Sequence, residues 1–118
     1  MKGFVDDLNQ PFLTLDFGQG ELDFLVDTGF IGTLVVGEEL FDTSNTISAG
    51  FVEAELAAGQ LYTFACHFVE FEWFGKVTRV RILIAPGTER LLGAELLAPN
   101  RLEIDYEQRI VTLTQHSG

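Results

Sequence analysis

An aspartate stands directly behind an apolar run in the segment Phe24–Phe30, whose sequence is FLVDTGF. A carboxylate at the end of a buried strand is a candidate acid or base for catalysis. The same pattern also suits a plain turn, because Asp and Gly favour turns and an Asp side chain can accept a backbone N–H. The spacing of Asp27, Thr28 and Gly29 alone leaves both interpretations open.

The other reactive side chains give weaker signals. Cys66 and His67 are neighbours in a predicted strand, so their side chains point to opposite faces, which argues against a nucleophilic pair. The other histidine, His116, lies near the end of the chain and is a poor partner for Cys66. The histidines, the cysteine and the acids show no zinc or calcium spacing, and no Gly-x-Ser-x-Gly motif is present. We therefore expect neither a metal nor a cofactor, and Asp27 is the leading candidate for chemistry.

The elements that must position Asp27 are short β-strands. Residues 37–41 suit one helical turn, and the helix formers of Leu91–Ala98, which stop at Pro99, predict one short helix. The segment Asp42–Ser44 lacks the glycine and the apolar lead-in, so it is interpreted as a turn or a helix cap. Alternating and β-rich runs bounded by turn residues predict strands over 12–17, 21–26, 33–36, 51–56, 61–74, 80–84, 102–106 and 110–113.

The composition indicates one globular domain over residues 1–118. The apolar share is 47%, and no apolar run approaches the length of a membrane span. Two early acids, Asp6 and Asp7, stand where a signal peptide has its apolar segment, so we expect a cytoplasmic protein. The single cysteine permits no disulfide within the chain. The net charge of −11 repels phosphate backbones and anionic lipid, which predicts neither nucleic acid nor membrane as a partner.

The segment FLVDTGF resembles the active-site motif of retropepsin-like aspartic proteases, in which two apolar residues precede Asp-Thr/Ser-Gly. The second marker of that family, two apolar residues and a glycine leading into a short helix, is similar to LLGAELL at Leu91–Leu97. Arg101–Leu113 looks like the closing hairpin of the small bacterial members, and the opening MKGFVDD also resembles theirs. The resemblance covers nearly the whole chain. It implies a mostly β protein, a closed antiparallel β-barrel with one short C-terminal helix.

The resemblance also implies a two-fold homodimer. Chemistry of this class uses two carboxylates that share a proton, because like charges about 3 Å apart cannot both ionise cheaply. Pepsin-like proteins carry two Asp-Thr-Gly motifs in one long chain, whereas this chain carries one. One motif per chain predicts that Asp27 of each subunit meets its own copy at the symmetry axis.

Roles for single residues also follow from the resemblance. Asp27 is expected to activate a water as general base and to protonate the leaving group, alternating with its twin. Thr28 is expected to hydrogen-bond across the dimer. Gly29 is expected to let the backbone come close to the carboxylates and to a bound peptide. Leu92 and Gly93 are expected to be structural. A hairpin tip is expected at Ala57, Ala58, Gly59 and Gln60. The resemblance implies that this tip is a flap that closes over a bound peptide, but the same residues equally suit an ordinary turn.

Phe30 departs from the family pattern, in which this position is commonly Ala, Ser or Thr. A Phe donates no hydrogen bond to the carboxylate, and its bulk narrows the cleft, selects small substrate side chains or points into the core. Two functions therefore stay open: an aspartic endopeptidase acting on extended peptides, and a non-catalytic peptide-binding or scaffold module with the same fold. An unrelated β-barrel binder is a third possibility.

Overall fold

The computed structural model of the chain describes residues 1–55 and 59–116. Apolar residues that alternate along the strands become buried, as at Leu13 and Leu15, while their neighbours stay accessible. Within the described ranges no helix has the length and apolar character needed to cross a membrane. The described residues form ten strands and one helix: β1 (Lys2–Val5), β2 (Pro11–Asp16), β3 (Glu21–Val26), β4 (Leu34–Gly37), β5 (Ile47–Glu55), β6 (Leu61–Trp73), β7 (Lys76–Ala85), β8 (Arg90–Leu92), α1 (Ala94–Leu97), β9 (Arg101–Asp105) and β10 (Ile110–Thr114).

The strands of the described residues form one mixed sheet in the order β5-β6-β7-β4-β8-β3-β2-β1-β10-β9. Two of the pairings are parallel, β3 with β8 and β4 with β7, and the others are antiparallel. The order has two ends, β5 and β9, which are separated by the whole sheet and do not pair with each other. The closed antiparallel barrel that the resemblance implies is therefore not confirmed, because the sheet of the described residues is open and includes two parallel pairings.

The core lies against the strands in the middle of this sheet. The whole of β4 is buried, and β3 and β8 contribute Phe24 and Leu92, neither of which is exposed to solvent. Burial of one such apolar side chain stabilises the folded state by about 1.5–3 kcal/mol. The strands that lead to Asp27 are thus among the most firmly buried parts of the chain.

The predicted strands are confirmed in place, with differences at their ends. β3 covers the predicted residues 21–26, whereas β5 begins at Ile47 rather than 51 because a bulge between Ser48 and Phe51 breaks its alternation. β1 was not expected as a strand. Residues 38–40 form a plain turn and not one turn of helix. The N–H of Glu38 donates to the carbonyl of Ala85, the last residue of β7, and the N–H of Glu39 donates to the carbonyl of Gly87 just beyond that strand.

The short helix near the C-terminus is confirmed but begins later than expected. Leu91 and Leu92 belong to β8, and the helix occupies only Ala94–Leu97. Gly93 separates the two elements, with an extended backbone at φ −102° and ψ 178°. The closing hairpin is confirmed as β9 and β10, paired from Ile110↔Asp105 to Thr114↔Arg101.

The segment Asp42–Ser44 forms a turn. The Asp42 carboxylate accepts the backbone N–H of Ser44 at 2.9 Å. Hydrogen bonds from Ser44 stabilise the ionised carboxylate and lower the pKa of Asp42 below its ordinary value. This Asp-Thr pair therefore shapes a surface loop.

Candidate active site

Asp27 is the first residue after β3, at the point where three strands lie side by side. β8 lies between β3 and β4; its Leu92 pairs in parallel with Val26 and in antiparallel with Leu34. The N–H of Asp27 donates to the carbonyl oxygen of Leu92 at 2.9 Å. Because Leu92 and Leu34 are fully buried, the backbone at Asp27 is fixed by the core beneath it.

The chain then turns through residues 27–33, which we call the Asp27 corner. The N–H of Phe30 donates to the carbonyl of Asp27 at 3.2 Å, which closes the turn. The N–H of Gly29 donates to Oδ1 of the Asp27 carboxylate at 3.0 Å and so orients it. The carboxylate is half-buried, while Thr28 and Gly29 are exposed. No hydrogen bond from the described residues reaches Oδ2.

Gly93 and the start of α1 hold the Asp27 corner from below. The N–H of Gly93 donates to the carbonyl of Thr33 at 2.8 Å, and that of Ala94 donates to the carbonyl of Phe30 at 2.7 Å. A Cβ at Gly93 would overlap the carbonyl oxygen of Gly32 and lie 2.6 Å from that of Phe30. Glycine is therefore the residue that lets the helix approach the corner so closely.

Phe30 is half-buried, and its ring lies against two glycines. A Cβ at Gly32 would lie 2.7 Å from Cζ of the ring, and one at Gly93 would lie 2.5 Å from its Cδ2. The ring forms one wall of an open cleft of about 570 Å³, which we call the Phe30 cleft. Phe30 thus lines this cleft without filling it. The other walls include Ala54, Tyr62, Phe64, Leu83 and Leu91.

The β5–β6 hairpin, formed by those two strands, supplies the wall of the Phe30 cleft opposite the corner. Ala54 pairs with Tyr62 and Val52 with Phe64, so these four side chains share one face. The β-rich run over 61–74 predicted a strand through Tyr62 and Phe64. Nothing in the sequence, however, indicated that this face lies over the residues after Asp27.

The expected flap falls at the end of the same hairpin. Ala57 and Ala58 lie outside the described residues. Gly59, with φ +74°, and Gln60 are described and exposed, and the hydroxyl of Tyr62 donates to the Gln60 side chain at 2.9 Å. Neither Gly59 nor Gln60 lines the Phe30 cleft, so the structure brings the strands of the hairpin to the cleft and leaves the substrate contacts of these tip residues a prediction.

The other reactive side chains are placed apart from the Asp27 corner. Cys66 is buried, and Nδ1 of its neighbour His67 lies 2.8 Å from the hydroxyl of Thr46. Across residues 1–55 and 59–116, no three side chains of His, Cys, Asp or Glu converge in a way that suits a metal ion.

Comparison with solved structures identifies the architecture. A retropepsin-like aspartic protease from Rickettsia conorii matches 96% of this chain and 88% of its own, with a TM-score of 0.65 at 18% identity. Two structures of the foamy viral protease-reverse transcriptase, one with an RNA/DNA hybrid and one with ds DNA, match 80% and 79% of this chain. Their TM-scores are 0.54 and 0.55 at 18% and 17% identity, and the match spans only 13% and 16% of those longer chains.

Sequence comparison alone does not reach these proteins. No family model matches the sequence, and no curated protein sequence matches it significantly. The likeness therefore lies in the path of the backbone, which is similar over nearly the whole length of the chain. The chain has the retropepsin-like fold.

Proposed function

We propose that the protein is an aspartic endopeptidase in which Asp27 of two subunits activates a water to cleave peptide bonds. The observation that carries this proposal is the position of Asp27, within an Asp-Thr-Gly corner of a retropepsin-like fold and directly after a strand pairing that buries its support. The Phe30 cleft, which the corner lines through Phe30 and not through Asp27 itself, gives a peptide a place to lie.

The proposed mechanism needs two carboxylates about 3 Å apart that share one proton. The ionised Asp27 takes a proton from water while the water oxygen bonds to the carbonyl carbon of the peptide. The protonated Asp27 of the other subunit gives its proton to the carbonyl oxygen. When the carbon–nitrogen bond breaks, the amine leaves with a proton returned from the first carboxyl group, and one hydroxyl of the tetrahedral intermediate gives its proton back to the second carboxylate as the new carbonyl forms.

A second copy of this chain would supply the second carboxylate. The Asp27 corner has the surface of a contact region, since Ile31 is 84% exposed beside Thr28 and Gly29. An apolar side chain left in water is stabilised when a partner covers it. The Thr28 hydroxyl forms no hydrogen bond within the described part of the chain, which leaves it available to a partner subunit.

The dimer is tested by Ile31→Lys, which places two like charges where the copies would meet. We expect this variant to weaken dimerisation at least tenfold in sedimentation experiments, a change of about 1.4 kcal/mol. The matched control is Val77→Lys. Val77 is 71% exposed, but it lies at the start of β7, the end of that strand away from the corner. A monomeric wild type, or equal dimerisation of both variants, would contradict the proposed assembly.

The walls of the Phe30 cleft indicate the kind of peptide that would bind. Aromatic rings of Phe30, Tyr62 and Phe64 face a cleft with the aliphatic side chains of Leu83 and Leu91. Such walls favour an apolar side chain, and a strand-like peptide lets alternate side chains enter a cleft of this type.

The reaction is tested with a peptide library at several pH values, comparing wild type with Asp27→Asn. The substitution keeps the volume of the side chain but removes the titratable group, so we expect activity to fall by roughly 10²–10⁴-fold. Asp42→Asn is the control, because it makes the same change in the other Asp-Thr pair of the chain. Equal activity of wild type and Asp27→Asn would contradict the mechanism. Peptide binding that survives without any cleavage would instead support the non-catalytic module.

A further inference from the structure

We infer that Arg81 is a positioning residue that sets how the β5–β6 hairpin lies over the Phe30 cleft. Arg81 belongs to β7, yet its side chain contacts β5, and its backbone is bonded to the Asp27 corner. The effect on substrate binding rests on the proposed function, whereas the effect on the hairpin itself does not.

The hairpin leaves the sheet through a bulge in β5. The pairing passes from Ser48↔His67 to Phe51↔Ala65, so Ala49 and Gly50 together oppose the single residue Cys66. Gly50 has φ +82°, a conformation that glycine adopts readily. A bulge interrupts the ladder and bends its strand, so the angle of the hairpin over the cleft is decided at this point.

The Arg81 guanidinium holds both sides of that bulge. Nε donates to the carbonyl oxygen of Ala49 at 3.2 Å, and Nη2 donates to that of Phe51 at 3.4 Å. The planar, forked guanidinium can serve two carbonyls at once, which the single ammonium of a lysine does less well. One side chain therefore replaces ladder bonds that the bulge removes.

The other end of Arg81 is tied to the Asp27 corner. The Thr33 hydroxyl donates to the backbone carbonyl of Arg81 at 2.6 Å, and the Thr33 carbonyl accepts the N–H of Gly93 at 2.8 Å. A continuous set of hydrogen bonds thus joins the helix start, the corner, β7 and the bulge. The hairpin is placed relative to the Asp27 carboxylate through Arg81.

Arg79 provides a matched control on the same strand. It lies two residues before Arg81, so it points to the same face, and both residues are exposed. Its guanidinium stacks over the Phe68 ring at 4.4 Å from the centroid, and within the described residues it makes no hydrogen bond to β5. The two arginines therefore match in charge and exposure but differ in their contact with the bulge.

The placement of the hairpin is tested by hydrogen exchange on Arg81→Met, Arg81→Lys and Arg79→Met. We expect amides of β5 after the bulge to exchange at least tenfold faster in Arg81→Met, with β2 and β3 unchanged, and little change in Arg79→Met. Arg81→Lys should recover only part of the protection, and it serves as the second variant if Arg81→Met folds poorly. Equal protection of β5 in all three variants would overturn the inference, whether or not the chain cleaves peptides.

The effect on binding is tested with a cleaved peptide. We expect Arg81→Met to raise KM at least fivefold while kcat changes less than twofold, because the carboxylate keeps its support and the cleft loses its placed wall. A residue that only stabilised the fold would leave KM per folded molecule unchanged. An unchanged KM alongside faster exchange would overturn the role in substrate binding. A wild type that cleaves nothing would contradict the proposed protease and leave the exchange result to decide the positioning role.

Discussion

The Asp27 corner and the β5–β6 hairpin face the same cleft, but they are held in different ways. The corner donates a backbone hydrogen bond to β8 and accepts others from Gly93 and the start of α1, and it rests on side chains such as Leu92 that are fully buried. The hairpin includes the edge strand β5, and on its outer side Phe51 and Leu61 are 72% and 67% exposed. Apart from pairing with β6 and one long hydrogen bond from the N–H of Gly50 to Oγ of Ser48 at 3.5 Å, the bulge of β5 is held among the described residues by Arg81.

This difference separates two requirements of a site that acts on a peptide. A reacting carboxylate must stay within a fraction of an ångström of its working position, which calls for support from the core. An element that covers a substrate must let it in, and such elements have few buried contacts and open at low free energy. The buried β3-β8-β4 arrangement meets the first requirement, and an edge hairpin on a bulge suits the second.

The largest effect is expected from Gly93→Ala, which tests whether the corner is held more firmly than the hairpin. The added methyl group would overlap the carbonyl oxygen of Gly32 and press on Phe30, and these are backbone atoms or atoms fixed by the core. We expect the free energy of unfolding to fall by about 3 kcal/mol, the upper range for overpacking, as measured by urea denaturation.

Gly59→Ala makes the same change in the hairpin and is the control. Gly59 has φ +74°, and among the described residues the nearest atom to an added Cβ is Oε1 of the Glu55 side chain at 3.6 Å. We expect a loss of about 1 kcal/mol from the left-handed conformation alone. If Gly59→Ala proved as destabilising as Gly93→Ala, the hairpin would be held as firmly as the corner.

The sequence predicted the corner better than the hairpin for a physical reason. The apolar run, the turn residues and the glycine before α1 are local signals, and each acts within a few residues of Asp27 or Gly93. β3 and the closing hairpin were therefore predicted nearly to the residue. The dimer, the roles of the corner residues and the flap at Gly59 and Gln60 remain predictions.

The arrangement of the sheet could not be predicted in this way. The parallel pairing of Leu92 with Val26 joins residues far apart in the chain, and no pattern in either strand specifies it. The bulge at Ala49 and Gly50 displaced the alternation of β5, so its first residues were missed. Arg81 gave no signal at all, because its role depends on which strand lies two places away in the sheet.

A smaller loss of stability is expected from Phe30→Ala, which tests the rigidity of the cleft wall that the corner carries. Phe30 is half-buried, so we expect the free energy of unfolding to fall by about 2 kcal/mol, less than for a fully buried Phe. Its ring is a wall of the Phe30 cleft carried by the rigid corner, and removing it enlarges the space available to a peptide side chain. Preference should then shift from a small apolar residue towards a bulky one, by about tenfold in the ratio of kcat/KM values.

Phe64→Ala makes the equivalent change on the opposite wall, since Phe64 is also half-buried and lines the same cleft. A hairpin that is attached through a bulge can move towards the space left by the ring, whereas the corner cannot move because its backbone is bonded to β8 and α1. We therefore expect Phe64→Ala to change side-chain preference less than threefold, against about tenfold for Phe30→Ala. Equal shifts for the two variants would mean that both walls are equally rigid, and the distinction between the corner and the hairpin would not hold.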